Sequence, residues 1–166
     1  MATSDPKPHR TPGEEDQGIV DGLVQLSFLV QAVLGRVATS YDTSIIQARL
    51  VGILRDRELG MAELARLLNL DKSSASGLVD RAGDRGLVKR TTVPGDGRAV
   101  HVVLTAKGQR LAKAFAAEVG EQLNAAAEVL SAPQRRRLSV LATQVVLHHA
   151  AAQGLDLSTG GRGATR

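Results

Sequence analysis

The chain has 166 residues, of which 43% are hydrophobic but only 2% aromatic, and it contains no cysteine. This length favours one domain with a core of Leu, Val, Ile and Ala, and the lack of cysteine excludes disulfides, thiolate metal sites and cysteine nucleophiles. The net charge of +4 is concentrated in residues 55–110, where eleven Lys and Arg stand against seven Asp and Glu, so nucleic acid is a candidate partner.

The two ends of the chain are predicted to be disordered tails. Residues 1–16 combine prolines, glycine and mixed charge without periodicity, and residues 154–166 are rich in glycine. The N-terminus lacks the apolar segment of a signal peptide, and no apolar run approaches the ~18 residues that a membrane span needs. We therefore expect a cytoplasmic protein without a membrane partner, with a single domain over residues 17–153.

A long first helix is predicted over residues 17–38 because its apolar residues follow a heptad spacing. A second apolar face adds to this seam. A helix that is apolar on two sides must be covered on both, by its own domain and by another subunit. The seam consists of Ile19, Leu23, Leu26, Val30, Val33 and Val37, and the second face of Val20, Val24, Leu29 and Leu34.

Short helices are predicted in the middle of the chain. A capping-box pattern at residues 44–47 opens one helix that runs to about residue 54, and residues 61–68 make two further helical turns. Asn69 tolerates a left-handed turn, and Asp71 can cap a new helix that Gly86 ends. Residues 61–85 therefore predict a helix-turn-helix.

The second of these helices begins with short polar side chains. Lys72, Ser73, Ser74 and Ser76 lie in its first turns, away from its apolar stripe. Short hydroxyl side chains at such a position can approach base edges and phosphates closely. The alternative is that the serines merely cap and solvate the start of a helix.

Two β-branched runs follow, over residues 87–93 and 99–104, and predict an antiparallel hairpin. The connection 94–98 is rich in turn-forming residues and places Arg98 at its tip. A helix-turn-helix followed by such a ribbon is a winged helix, here over residues 42–104, and Arg98 is positioned to enter a DNA minor groove. Asp96 would orient Arg98 or cap the turn, although an ordinary surface turn is the alternative.

The C-terminal part is predicted to be helical over residues 105–153. Residues 105–130 form one long helix, and Ser131 with Gln134 supplies a capping-box-like restart for a second. Together with the helix over 17–38, these segments suggest a dimer. The run Arg135-Arg136-Arg137 lies near a helix N-terminus, against the helix macrodipole, and its role stays open.

Residues 63–111, ELARLLNLDKSSASGLVDRAGDRGLVKRTTVPGDGRAVHVVLTAKGQRL, resemble the MarR family of bacterial transcription regulators. The family pattern is ELA-x-x-L-x-LD-K-S-T-V-T-R-L-V-D-R-L-x-x-x-GLV-x-R, then D-x-R-x-x-x-V-x-LT-x-x-G. The resemblance implies a homodimer formed by the terminal helices, two winged helices on a pseudo-palindromic operator in double-stranded DNA, and often a small-molecule effector. Carried over by position, Lys72, Ser73, Ser74 and Ser76 are recognition-helix contacts, and Asp96 with Arg98 is the wing pair.

Two departures from the family pattern affect the recognition helix. Gly77 replaces a common arginine and so removes a phosphate or base contact. Ala82 and Gly83 replace a pair of larger, better helix formers. Each glycine costs a helix interior roughly 1 kcal/mol relative to alanine, so we expect a softer helix.

Other residues give weaker signals. His148 and His149 point about 100° apart on a helix, with no further ligand at the right spacing, so no metal site is predicted. His101 is expected to be an ordinary strand histidine rather than a pH-sensitive or ligand-facing group. Tyr41 and Arg49 could line a ligand pocket, but the effector is not identified.

We conclude that the sequence predicts a mainly α protein with a small β-hairpin wing, in which a winged helix-turn-helix is joined to terminal dimerisation helices. Its function would be that of a dimeric repressor relieved by a small molecule. No catalytic motif and no cofactor signature is present, so no enzyme activity is expected. The alternative is a helical homodimeric interaction or ligand-sensing protein with weakened DNA binding.

Overall fold

The computed structural model of the protein covers residues 18–93 and 96–155, with the backbone alone at Val93 and at residues 96–98. The predicted fold class is confirmed. The tails predicted over 1–16 and 154–166 lie outside the described residues, except for residues 154 and 155, which are ordered because they bind the end of α6 and Arg66. In chain order the elements are α1 (Gly18–Ser40), α2 (Ile45–Leu54), β1 (Leu59–Gly60), α3 (Met61–Leu68), α4 (Lys72–Asp84), β2 (Val88–Val93), β3 (Asp96–Leu104), α5 (Ala106–Ala126) and α6 (Ala132–Ala152).

Side-chain caps fix the helix boundaries where the sequence predicts them. The hydroxyl of Ser44 accepts from the backbone N–H of Gln47 at 3.2 Å and opens α2. The backbone N–H of Ser131 donates to the side chain of Gln134 at 2.8 Å and opens α6. Such caps satisfy backbone groups that have no partner inside the helix.

The sheet has three antiparallel strands in the order β1-β3-β2. In β2, Lys89 pairs with Val103 and Thr91 with His101, as expected for the wing. The two-residue strand β1, in which Leu59 pairs with Val102, is not predicted by the sequence because a strand this short leaves no alternation to detect. It joins the loop before α3 to the base of the wing.

Two buried clusters hold the elements together. The larger one lies within the winged helix, where α2, α3 and α4 pack on the sheet around Leu50, Leu64 and Leu78. The smaller one joins α1 to α2 and α5 through Val33, Val37 and Phe115. The C-terminal half of α1 is therefore covered by its own chain.

Arg135, the first residue of the basic run 135–137, has a structural role. Its guanidinium donates to the backbone carbonyl of Leu130 at 2.9 Å and to that of Ala127 at 3.5 Å. These carbonyls follow the end of α5, where a helix presents unpaired acceptors and partial negative charge. Arg135 thus closes the turn between α5 and α6, whereas Arg136 and Arg137 are exposed.

The end of α6 is tied to the helix-turn-helix. Gly154 adopts a positive φ of 64°, and the N–H of Leu155 donates back to the carbonyl of Ala150 at 2.9 Å. Arg66 of α3 donates to the carbonyl of Gly154 at 2.7 Å. Residues 154 and 155 therefore complete the C-cap of α6.

The N-terminal half of α1 and most of α6 leave apolar side chains exposed. In α1 these include Ile19 at 75% and Phe28 at 67% exposure, and in α6 they include Leu141 and Val145. An 18-residue window of α1 has a mean hydropathy of 1.6, so this helix is long and apolar enough to cross a membrane by length and composition. The expectation that no apolar run approaches that length is therefore wrong, because charged residues occur only near the two ends of α1.

Candidate nucleic-acid interface

The helix-turn-helix is formed by α3 and α4, with a tight turn between them. Asn69 takes a left-handed conformation with φ of 54°, and the N–H of Leu70 donates to the carbonyl of Ala65 at 2.9 Å. Ala65 itself is buried, as its small size at the helix crossing predicts. This turn leaves the first residues of α4 on the surface.

Asp71 caps α4 and also binds two of the predicted contact residues. Its carboxylate accepts from the hydroxyls of Ser73 and Ser74, each at 2.6 Å, and from the backbone N–H of Ser74 at 2.9 Å. The hydrogen bond from Ser73, followed by those from Ser74, lowers the pKa of Asp71 well below its usual range. Asp71 is therefore ionised at physiological pH.

This arrangement determines that the two hydroxyls donate their hydrogen bonds to Asp71. An ionised carboxylate can only accept hydrogen bonds, so Ser73 and Ser74 must donate their single hydroxyl protons to Asp71. Their oxygens then offer lone pairs to the exterior. In the major groove, lone pairs match the amino groups of adenine and cytosine, whereas phosphate oxygens are acceptors and do not match.

Lys72 and Ser76 complete the predicted set on α4. Lys72 is exposed and Ser76 is half-buried, and within the described residues neither side chain has a hydrogen bond or ion pair. The buried stripe of the helix is formed by Ala75, Leu78, Val79 and Ala82. The structure thus brings all four predicted helix residues together at the start of α4, away from that stripe.

The far end of α4 is held by three neighbouring elements. Arg85 donates to the side-chain oxygen of the buried Gln47 of α2 at 2.8 Å. Lys107 of α5 donates to the carbonyl of Arg85, also at 2.8 Å. Asp80 pairs with Arg90 of β2 at 2.7 Å. These contacts join the C-terminal part of α4 to α2, α5 and β2.

The wing differs in detail from the prediction. β3 begins at Asp96, so Arg98 lies within a strand and not at the tip of a five-residue turn. Val93 pairs with Asp96 while Thr92 pairs with Val100, which leaves Arg98 in an irregular stretch of β3. Bulges of this kind are common where a strand changes direction near a functional surface. The side chains of Asp96 and Arg98 lie outside the described residues, so their roles stay predictions.

Tyr41 lines a cavity of about 720 Å³ on the outer side of α5, together with Glu118 and Glu121. Its ring contacts Phe115 with centroids 6.1 Å apart. Partial burial, and then a hydrogen bond to Glu118, raises the pKa of Tyr41. Arg49 is exposed and does not line this cavity.

The structure also describes the surroundings of His149 and His101, which the sequence analysis considered as metal-binding or ligand-facing groups. His149 contacts the side chain of Gln153 at 2.9 Å, one turn further along α6. His101 lies on β3, half-buried and paired with Thr91. No group of three or more metal-ligating side chains occurs within residues 18–93 and 96–155.

Comparisons with known proteins agree with this geometry. Residues 41–99 match a family model described as MarR family. Among solved structures, NadR in complex with 4-hydroxyphenylacetate is 24% identical with a TM-score of 0.65, covering 84% of this chain and 97% of NadR. Wild-type MarR from E. coli, in its apo form, is 22% identical with a TM-score of 0.65, covering 79% of this chain and 98% of MarR.

A third structural relative is BpsR of Bordetella bronchiseptica, whose DNA binding is regulated by 6-hydroxynicotinic acid. It is 18% identical with a TM-score of 0.64, covering 82% of this chain and 98% of BpsR. No curated protein matches the chain in sequence. At these identities the structural likeness establishes the fold, and the family model identifies the winged helix. The resemblance to the MarR family is confirmed over the winged helix, since residues 41–99 match the model of that family.

Proposed function

We propose that this protein is a transcription regulator that binds a pseudo-palindromic operator in double-stranded DNA as a homodimer, and that it acts in the cytoplasm. The observation that carries the proposal is the exposed start of α4, with Lys72 and three serines, beside the β2–β3 wing. A bound dimer occludes a promoter without further contacts, so repression is the simplest mode of action.

The start of α4 has the dimensions and chemistry of a DNA-reading helix. The major groove of B-DNA is about 12 Å wide and admits one α-helix. Lys72 supplies positive charge for the phosphates, while the serine side chains are short enough to let the helix approach the base edges. The contacts of Arg85 and Lys107 join the C-terminal end of this helix to α2 and α5.

Arg98 is proposed as the minor-groove contact of the wing, with Asp96 in support. Arg98→Ala should weaken binding to all DNA, because about one fewer counterion is released, and should reduce the preference for A·T-rich flanks. Arg98→Lys should restore the first effect and not the second, since an ammonium lacks the planar fork. Operator affinity measured against salt checks both. Unchanged affinity, salt slope and flank preference in a dimeric Arg98→Ala protein would contradict this role.

A small molecule that relieves repression is part of the proposal. NadR and BpsR are each described with a hydroxylated aromatic acid. The cavity beside Tyr41 carries two carboxylates, from Glu118 and Glu121, so it favours a ligand that donates hydrogen bonds over an anionic one. The effector of this chain therefore need not share the charge of those two ligands.

The function is tested by selecting bound sequences from a random duplex pool with the purified protein. Enrichment of a palindrome supports a dimeric DNA-binding regulator. The competing function is a homodimeric interaction or ligand-sensing protein with weakened DNA binding, which Gly77 and Gly83 favour by softening α4. A dimeric, folded protein that enriches no sequence would support this second function.

A further inference from the structure

The surface over Gly77 of α4 is occupied by the side chain of Arg81. A β-carbon added at Gly77 would lie 3.2 Å from Nη1 of Arg81, the one atom outside its own backbone that it would closely approach. Arg81 is one helical turn further along, and helical side chains lean back toward the N-terminus. Its guanidinium therefore lies across the glycine.

Arg81 lines the same surface cavity of the protein as two of the predicted contact residues. A shallow cavity of about 340 Å³ lies between the start of α4, α2 and the turn before α4, and it is lined by Ser73, Ser74, Gly77 and Arg81 together with the apolar residues Ile46, Leu70 and Leu78. Arg81 is exposed, and in the part of the chain that the structure describes its side chain has no hydrogen bond or ion pair. The guanidinium is thus held near the recognition surface without being used within the fold.

Neighbouring arginines have different roles. Arg85 binds Gln47, Arg90 binds Asp80, and Arg66 binds the end of α6. Each of these contacts joins two elements of the fold. Arg81 makes no comparable contact among the described residues.

We propose that Arg81 is a specificity-determining DNA contact that donates across Gly77 to a guanine in the major groove. The proposal rests on the proposed function and names a contact within it. A guanidinium only donates hydrogen bonds, and guanine offers two adjacent acceptors, N7 and O6, that match its planar fork. Arg81, an arginine that the family pattern also contains, thereby places positive charge over the surface where Gly77 has no side chain.

Two features favour a base edge over a phosphate. Because Gly77 has no side chain, the guanidinium of Arg81 can lie close to the backbone of α4, and only this planar group separates the second turn of the helix from the bases. Asp84 is exposed, one turn beyond Asp80, and its negative charge near the C-terminal end of α4 disfavours phosphates there. The donor Arg81 also complements Ser73 and Ser74, whose oxygens face outward as acceptors.

The first test compares Arg81→Ala and Arg81→Lys with the wild type on the selected operator and on operators in which each guanine is replaced in turn. Arg81→Ala should lose the preference for one guanine in each half-site, by roughly 5- to 150-fold, and Arg81→Lys should retain part of this preference, because an ammonium still donates to guanine but lacks the planar fork. Arg81→Lys should keep its affinity for random duplex, because the charge remains. Arg136→Ala removes the same type of side chain from α6 and should change neither quantity.

The variant Gly77→Ala distinguishes a base-contacting role of Arg81 from a structural role of Arg81. The added β-carbon should displace the flexible guanidinium while improving the helix, so the melting temperature should rise as the guanine preference falls. Uniform weakening on all sequences with a smaller salt slope in Arg81→Ala would identify a phosphate contact and overturn the proposal. Unchanged base preference in dimeric Arg81→Ala would also overturn it, whereas a wild type that selects no sequence would overturn the proposed function itself.

Discussion

At the scale of single residues, Asp71 caps the start of α4. The carboxylate satisfies one backbone N–H of α4 and orients two hydroxyls at once. The sequence alone does not distinguish the hydroxyls of Ser73 and Ser74 from those of other serines in α4. The structure distinguishes them from Ser76, because their protons are committed to Asp71 and only their lone pairs face outward.

This arrangement predicts a pH dependence of stability. Hydrogen bonds from Ser73 and Ser74 lower the pKa of Asp71 in the folded state, while the unfolded value is about 3.9. The stabilisation is therefore fully present above about pH 4 and is lost as the pH falls toward the lowered folded pKa. Asp71→Asn cannot titrate, so its melting temperature should lie below that of the wild type by a constant amount from pH 5 to 8.

Below pH 4 the two melting temperatures should converge. The measurement is thermal unfolding of both proteins, followed by circular dichroism across this pH range. If the gap persists undiminished to pH 2, the charge of Asp71 does not account for the stabilisation.

At the scale of the elements, α5 packs on the start of the sheet at a position that only glycine can occupy. A β-carbon at Gly108 would overlap the backbone carbonyl oxygen of Leu87 and lie 3.2 Å from a methyl group of Leu104. Thr105 reinforces this contact, since its hydroxyl donates to the carbonyl of Gly86 at 2.6 Å and accepts from the N–H of Gly108. The wing and α5 are therefore fixed to each other by backbone contact.

Gly108→Ala should lower the free energy of unfolding by about 1–3 kcal/mol, because backbone must move to admit the methyl group. Gly120→Ala is the matched control on the same helix. Nothing lies within 4 Å of a β-carbon there, so this change should stabilise the protein by up to about 1 kcal/mol. Urea unfolding of the two variants checks the difference in sign. A neutral Gly108→Ala would show that α5 can shift on the sheet.

Local signals in the sequence predict most of the helices and strands, whereas they do not predict the contacts between these elements. The caps at Ser44, Asp71 and Ser131 act within three residues, so the sequence alone locates them. Arg135 also acts locally, but its acceptors become visible only when the turn after α5 is known. The register of the wing depends on a bulge, which the sequence pattern does not specify, and so the position of Arg98 within β3 was not predicted.

At the scale of the whole molecule, the apolar seam of α1 is covered along only half of its length. Val33 and Val37 are buried against the smaller cluster, whereas Ile19, Leu23 and Leu26 on the same side are exposed. Asp21, Gln25 and Arg36 lie on the opposite side of the helix, which is the distribution expected of a helix with one side in water. Exposed apolar residues of α6 add to the uncovered surface.

We expect a second copy of the chain to cover this surface. In a two-fold dimer every residue of the interface is used twice, so one substitution places two charges in it. Leu26→Asp should therefore give unfolded or aggregated protein, since an unpaired buried charge is strongly unfavourable. Ala32→Asp places the same charge on the opposite side of α1, next to Arg36, and should leave the assembly intact. Sedimentation of the wild type and both variants measures the outcome.

The same dimer is expected to set the geometry of DNA binding. A two-fold axis places the two α4 helices on one face of B-DNA, about 34–36 Å or one helical turn apart. Footprints of the wild type should accordingly show a dyad with two half-sites at that spacing, and Ala32→Asp should reproduce it. A well-folded wild-type monomer in dilute solution would contradict the assembly. A dimer whose footprint lacks a dyad would instead contradict the arrangement of its two recognition helices, because a symmetric protein that reads DNA with α4 must read it twice.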